Sequence, residues 1–191
     1  MEISVKGKQI DIGAALQSHV TDHLNASVLK YFERALDANV ILSKESHAFR
    51  ADISVHPSRG MTVQGKAVAD DAYAAFDSAL ARIAKQLRRY KRRLQDHHKG
   101  RPEEDFLTAQ YSILASDDTE DELPVDGEPA IIADMPHEIA TLTVGEAVMR
   151  LDLADAPAMM FKNSANGSFN VVYRRADGNI GWIDPSNTQN V

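Results

Sequence analysis

DAYAAFDSALARIAKQLRRYKRRLQDHHK, residues 71–99, decides the fold of the first half of the chain. Tyr73, Phe76, Leu80, Ile83, Leu87, Tyr90 and Leu94 recur at alternating spacings of three and four. Such spacing draws one apolar stripe along a long helix. Asp70 and Asp71 stand at its start, where negative charge meets the positive end of the helix dipole. At about 100° per residue, Arg82, Lys85, Arg89, Arg92 and Arg93 fall opposite the stripe, within roughly a third of the circumference. Arg88 flanks this row and Lys91 lies nearer the stripe. Asp77 precedes the row and Asp96 follows it, so few carboxylates are at hand. A solvated helix face usually mixes signs and forms i,i+4 pairs. A basic row without partners matches a phosphate backbone instead.

Working outward, Glu2–Lys6 alternates as a short strand, with Gly7 closing it. Asp11 is placed as the N-cap of a helix reaching about Lys30, carrying Ile12, Leu16, Val20, Leu24 and Val28. Strand-like runs follow at Asn39–Glu45, Arg50–His56 and Met61–Ala69, with a turn at Pro57–Gly60. The order β-α-β-β-β-α predicts an α+β domain with two helices on one face of a four-stranded sheet. Gly100-Arg101-Pro102 ends it.

Residues 102–134 hold 11 Asp or Glu, no Lys or Arg, and the run DDTEDE at Asp117–Glu122. This composition predicts an extended, unpacked linker. Beyond it, Thr143 is placed as the cap of a short helix with Val144, Ala147, Val148 and Leu151. Strands are predicted at Ala158–Lys162, Ser168–Arg174 and Ile180–Ile183, a three-stranded antiparallel meander. Asn166-Gly167 and Asp177-Gly178 sit between them, and both tolerate the positive φ of a type I′ turn. The predicted domains are 1–101, a basic RNA-binding unit; 102–130, an acidic disordered linker; and 131–191, a dimerisation unit.

The net charge of −7 conceals a split. Residues 1–101 carry 17 Lys and Arg against 11 Asp and Glu, a net of +6; residues 102–191 carry 4 against 17, a net of −13. A polyanion-binding module joined to something else fits this asymmetry. With no cysteine, disulfides and thiolate metal sites are excluded. No signal peptide and no apolar run of membrane-spanning length is visible, so a cytoplasmic location is expected, with no membrane partner.

Lys6, Lys8, Lys30 and Lys66 are candidates to extend the basic patch. The patch lacks a Phe or Trp stacking platform, which favours structured RNA read through backbone and shape. His19 and His23 have the i,i+4 spacing of zinc ligands, but Val20 stands where a catalytic Glu belongs and no third ligand is evident. His97-His98 reads as the solvated end of the helix. There is no P-loop, nucleotide-binding glycine loop or nucleophile elbow, so no enzyme, cofactor, metal or small-molecule substrate is expected.

Residues 71–99 resemble the second helix of the ribosome hibernation promoting factor family, also known as the sigma-54 modulation family, whose members carry a QLRKYK-like basic core. FNVVYRRADGNIGWIDP, Phe169–Pro185, resembles the C-terminal signature of the long form of that family. The resemblance implies a fold akin to double-stranded-RNA-binding domains. It implies binding to the small ribosomal subunit, its 16S rRNA and neighbouring ribosomal proteins, in the decoding channel over the tRNA and mRNA positions. It further implies a homodimer through the C-terminal domain, pairing idle ribosomes in stationary phase or stress. By matching position, the implied RNA contacts are Lys8, Lys30, Arg82, Lys85, Arg88, Arg89, Lys91, Arg92 and Arg93. Many long forms carry a His-Asp-Phe-Phe-like run before the first meander strand; here the stretch is Ala156-Pro157-Ala158-Met159. Two other readings compete: a general double-stranded-RNA-binding module with a dimerising tail, and a modulator of a sigma factor. Partners recovered from stationary cells separate them.

Self-association follows from size as well. Residues 135–191 number 57, and a domain that small buries only about 60% of its unfolded surface. Candidate contact residues are Met159, Phe161, Val171, Tyr173, Ile180 and Trp182. One helix cannot cover both faces of the meander, and two-fold association is the commonest remedy. The C-terminal unit is therefore predicted to melt at a temperature that rises with protein concentration, read through Trp182, the single tryptophan. A concentration-independent melt with monomeric sedimentation contradicts this.

Overall fold

The computed structural model describes residues 1–32, 35–97, 105–115 and 129–187. The first half contains β1 (Glu2–Lys8), α1 (Ala14–Val28), β2 (Asp37–Glu45), β3 (Ala48–Ser58), β4 (Met61–Ala69) and α2 (Ala72–His97). The sheet order is β1-β2-β3-β4, with β1 parallel to β2 and the other pairs antiparallel. Both helices pack on one sheet face. Leu16, Val20, Leu24 and Val28 of α1 join Phe76, Leu80, Ile83 and Leu87 of α2 over Val40, Leu42, Ile53, Val55 and Val63. The period-two alternation of β3 is visible in its burial, with Ala51, Ile53 and Val55 facing the core.

Gly65 sets how closely α2 lies on β4. A Cβ there would meet Ile83 Cγ1 at 2.6 Å and the Ala79 carbonyl oxygen at 2.7 Å. Ala72, Ala75 and Ala79 are buried on the same side of the helix, so small residues let the two backbones approach. Tyr73 departs from the predicted stripe: it is 41% exposed, because Ala72 takes the core position and Tyr73 turns to meet His19 edge-on. Asp71 caps α2 by accepting from the Ala74 amide. The Leu94 side chain lies outside the described set.

The start of α1 differs from the expectation. Gly13, not Asp11, occupies the N-cap and no side chain caps the helix. The segment before it folds back over β1, bringing the Ile10 carbonyl and Ile12 against Gly7, which delays the helix by two residues. The helix ends at Val28, with Leu29 at the C-cap.

The second half contains β5 (Phe106–Leu114), β6 (Ile131–Leu142), α3 (Val144–Leu153), β7 (Ala158–Asn163), β8 (Phe169–Arg174) and β9 (Ile180–Ile183), followed by a 3-10 turn at Pro185–Asn187. The sheet has five strands in the order β5-β6-β7-β8-β9. This corrects two expectations. Residues 106–114 are not extended linker but a strand paired antiparallel with β6, and the three-stranded meander is the far part of a larger sheet. The acidic residues of 102–134 fall outside 106–115, and that uncharged stretch is free to pair. The remaining predicted linker residues, 102–104 and 116–128, lie outside the described residues, as do His98 and residues 99–101. β6 runs parallel to β7 at Thr141 and Leu142, with α3 as the crossover.

Thr143 caps α3 as expected, in a reciprocal capping box with Glu146. The two hairpin turns are not type I′. Only Gly167 and Gly178 adopt positive φ, while Asn166 and Asp177 accept from the amides of Ser168 and Asn179 through their side chains. A polar network ties the meander together: the fully buried Asn170 accepts from Asn163 Nδ2 and from Trp182 Nε1, and donates to Asp184. The Ser186 hydroxyl donates to Asp184 and holds its carboxyl below the usual carboxylate range.

Because the Ala79 backbone carbonyl cannot clear a Cβ at residue 65 without parting α2 from β4, Gly65→Ala should cost about 1–3 kcal/mol by overpacking. Denaturant unfolding of the full chain measures it. A change below about 0.5 kcal/mol, the level of ordinary surface substitutions, contradicts the close approach.

Candidate nucleic-acid interface

With Ala72, Phe76, Ile83, Leu87 and Tyr90 turned to the core, helical geometry presents Arg82, Lys85, Arg88, Arg89 and Arg92 to solvent. All five are exposed, and none forms an ion pair among the described residues. Arg82 instead donates to the Lys66 carbonyl at 2.6 Å, which pins it against β4. The side chain of Arg93 lies outside the described set. On the α1 flank, Lys91 reaches the Lys30 carbonyl at 3.4 Å and lies over the Tyr31 ring. Lys91 thus links the row to the backbone of Lys30, whose own side chain is exposed.

Lys8 and Lys66 are placed differently. Ile3 and Val5 pack on the core, so alternation puts Lys6 and Lys8 on the sheet face away from both helices. Lys66 alternates with the core-facing Gly65 and Ala67, and its ammonium lies 3.4 Å from Asp155. Lys8 is not brought to the α2 row. His19 and His23 are taken up locally: His19 pairs with Asp77 at 2.8 Å and packs on Tyr73 and Phe76, and His23 bonds the His19 carbonyl. Among the described residues no group of three potential metal ligands occurs, and no helix is long and apolar enough to cross a membrane.

The residues expected at a dimer contact divide between two faces of the C-terminal sheet. Phe161 is fully buried beneath α3 with Ala147 and Leu151, and Met159 and Ile180 pack at the edge of the same cluster. Alternation points all three at the helix, with Phe161 in the core and Met159 and Ile180 partly buried against it. Trp182, opposite Val172, lies on that side too, though half its surface is exposed at the sheet edge. Val171 and Tyr173 face the other way, beside Met160, Phe169 and Ile183.

The open face continues beyond the predicted residues. Counted by alternation from Thr141, which pairs with Lys162, Leu107, Tyr111 and Ile113 of β5 lie on that side, opposite Ile139 (which is buried), Met135 and Ala133 of β6 respectively. Leu107, Tyr111, Ile113 and Met135 are exposed. The sequence signal is the alternation of Leu107, Ala109, Tyr111 and Ile113 with Thr108, Gln110 and Ser112.

Residues 3–95 match the family described as Sigma 54 modulation protein / S30EA ribosomal protein, and residues 126–181 match that family's C terminus. β5 falls between the two matched stretches. A ribosome hibernation promotion factor of Rhizobium meliloti is 39% identical over 188 residues, covering 98% of both chains. One from Bradyrhizobium diazoefficiens is 40% identical over 192 residues, covering 97% of this chain and 95% of its own. Among solved structures, the N-terminal domain of Protein Y from Thermus thermophilus aligns with 47% of this chain and 99% of its own, at 32% identity and a TM-score of 0.44. Near-complete coverage at this identity, with both the domain and its C-terminal companion matched in order, means that the chain belongs to the long-form ribosome hibernation promotion factor family.

Proposed function

We propose that this chain silences idle ribosomes in stationary phase or stress. Its N-terminal domain grips 16S rRNA in the decoding channel of the small subunit and blocks tRNA and mRNA. Two copies joined through their C-terminal sheets pair two ribosomes into an inactive dimer. The observation that carries the first part is the row Lys85, Arg88, Arg89 and Arg92, exposed and without carboxylate partners among the described residues, on a helix whose other side packs in the core. Phosphates of folded RNA are the ligand class such a row fits, and counterion release supplies the affinity. The second part is supported by the open sheet face of Tyr111, Met135, Met160, Phe169, Val171 and Ile183, too large and apolar a group for a lone small domain to leave in water. A second copy offers the same surface, as two-fold association requires.

Purified small subunits test the first part. Log affinity should fall linearly with log salt. Lys85→Ala with Arg92→Ala should flatten the slope by about 1.5, at roughly 0.7–0.9 for each phosphate that is no longer neutralised. An unchanged slope contradicts the assignment. Equal affinity for arbitrary duplex RNA would identify a general RNA-binding module instead.

A further inference from the structure

Helix α3 has two apolar faces. Ala147 and Leu151 pack on its own sheet. Met149 and Leu153, turned the other way, are 8% and 3% exposed and belong to the core of the N-terminal domain. A helix that is apolar on opposite sides is built to be buried between two bodies. Arg150, beside them, is 4% exposed and donates to the Gly60 carbonyl at 3.0 Å, in the turn between β3 and β4. Gly60 also lies against the Phe106 ring, and Arg59 stacks on that ring while pairing with Glu138. The C-terminal domain is thus docked along the edge formed by β4 and the adjoining flank of α2.

That flank borders the basic row. Arg89, Gln86 and Tyr90 of α2 line one cleft of about 330 Å³ with Asp152, Asp155 and Arg174 of the C-terminal domain. Asp155 pairs with Lys66, whose carbonyl holds Arg82. Two carboxylates, Asp152 paired with Arg174 at 3.1 Å and Asp155 paired with Lys66, therefore stand at the edge of this side of the row. The docked residues 129–187 carry 7 Asp and Glu against 4 Lys and Arg, a net of −3, beside the net-basic first half.

Resting on the RNA-binding reading above, we infer that this docked arrangement is an autoinhibited state of the free protein, in which α3 covers the β4 flank of the rRNA-binding face. Release of α3 clears the β4 flank beside the already exposed row and frees Lys66 from Asp155, so RNA and the C-terminal domain compete for that edge. Binding to the small subunit and undocking are then linked reciprocally. Apparent affinity is the intrinsic affinity reduced by the fraction of open molecules.

The absence of cysteine makes the test direct. Arg59→Cys and Glu138→Cys place the only two thiols across the interface, away from the basic row, for a short bismaleimide cross-linker. The same full-length protein capped with N-ethylmaleimide is the control. In parallel, Met149→Ser with Leu153→Ser removes the docking contacts without altering charge, and Trp182 fluorescence checks that the C-terminal domain stays folded. Against purified small subunits, the cross-linked chain is expected to bind at least about tenfold more weakly than the capped one. The undocked variant should bind more tightly than the parent, by about tenfold if one molecule in ten is open. A cross-link that leaves affinity unchanged, or an undocked variant no tighter than the parent, overturns the inference while leaving the functional reading standing. A capped chain that fails to bind small subunits at all overturns both.

Discussion

The contact of α2 with β4 is the constraint on which the rest depends. Gly65 and the buried alanines of α2 let the helix lie close to the strand, and Phe76, Ile83 and Leu87 lock its rotation about its own axis. Once that rotation is set, helical periodicity alone directs Arg82, Lys85, Arg88, Arg89 and Arg92 outward. A row of like charges repels itself and contributes nothing to folding. It is held in place by apolar packing on the far side, which is why the electrostatics of the site can be tuned to a polyanion without loss of the fold.

The N-terminal domain is legible in the sequence because its signals are strong and local. The three-four spacing of α2 and the alternation of Ala51, Ile53 and Val55 leave little freedom of assignment. Details settled by tertiary packing escape such a reading. Ala72 displaces Tyr73 from the core, and the back-folded segment over Gly7 shifts the start of α1. In the C-terminal half the difficulty is one of averaging. Taken as a block, 102–134 is acidic, yet its charges lie on either side of an uncharged, alternating run that forms β5. The basic face is readable because helix geometry places side chains from sequence alone. The residues expected at a dimer contact are less so, since alternation divides Phe161 from Val171 but does not say which of the two sets α3 will cover.

Helix α3 connects the two halves physically. Val144, Ala147, Val148 and Leu151 are readable as its apolar face, but Met149 and Leu153 make a second one that serves another domain. A short helix with this much apolar surface is hard to read from one sequence, because the pattern looks like general hydrophobicity rather than two stripes. The same helix carries Asp152 at its end, with Asp155 just beyond, so apolar docking brings acidic groups to the edge of the basic row. Opposite charge in the two halves of the chain then has a structural meaning: the segregated charges can meet within the molecule as well as keep apart.

Sedimentation of ribosomes through a sucrose gradient, with and without the added full-length chain and with the chain itself detected in each fraction, tests the central claim most directly. The chain should travel with small subunits and intact ribosomes, and the wild-type protein should convert single ribosomes into a faster-sedimenting pair. Val171→Asp should leave the chain bound while single ribosomes stay single. A chain that remains at the top of the gradient while the ribosome profile stays unchanged would contradict a ribosome-silencing role.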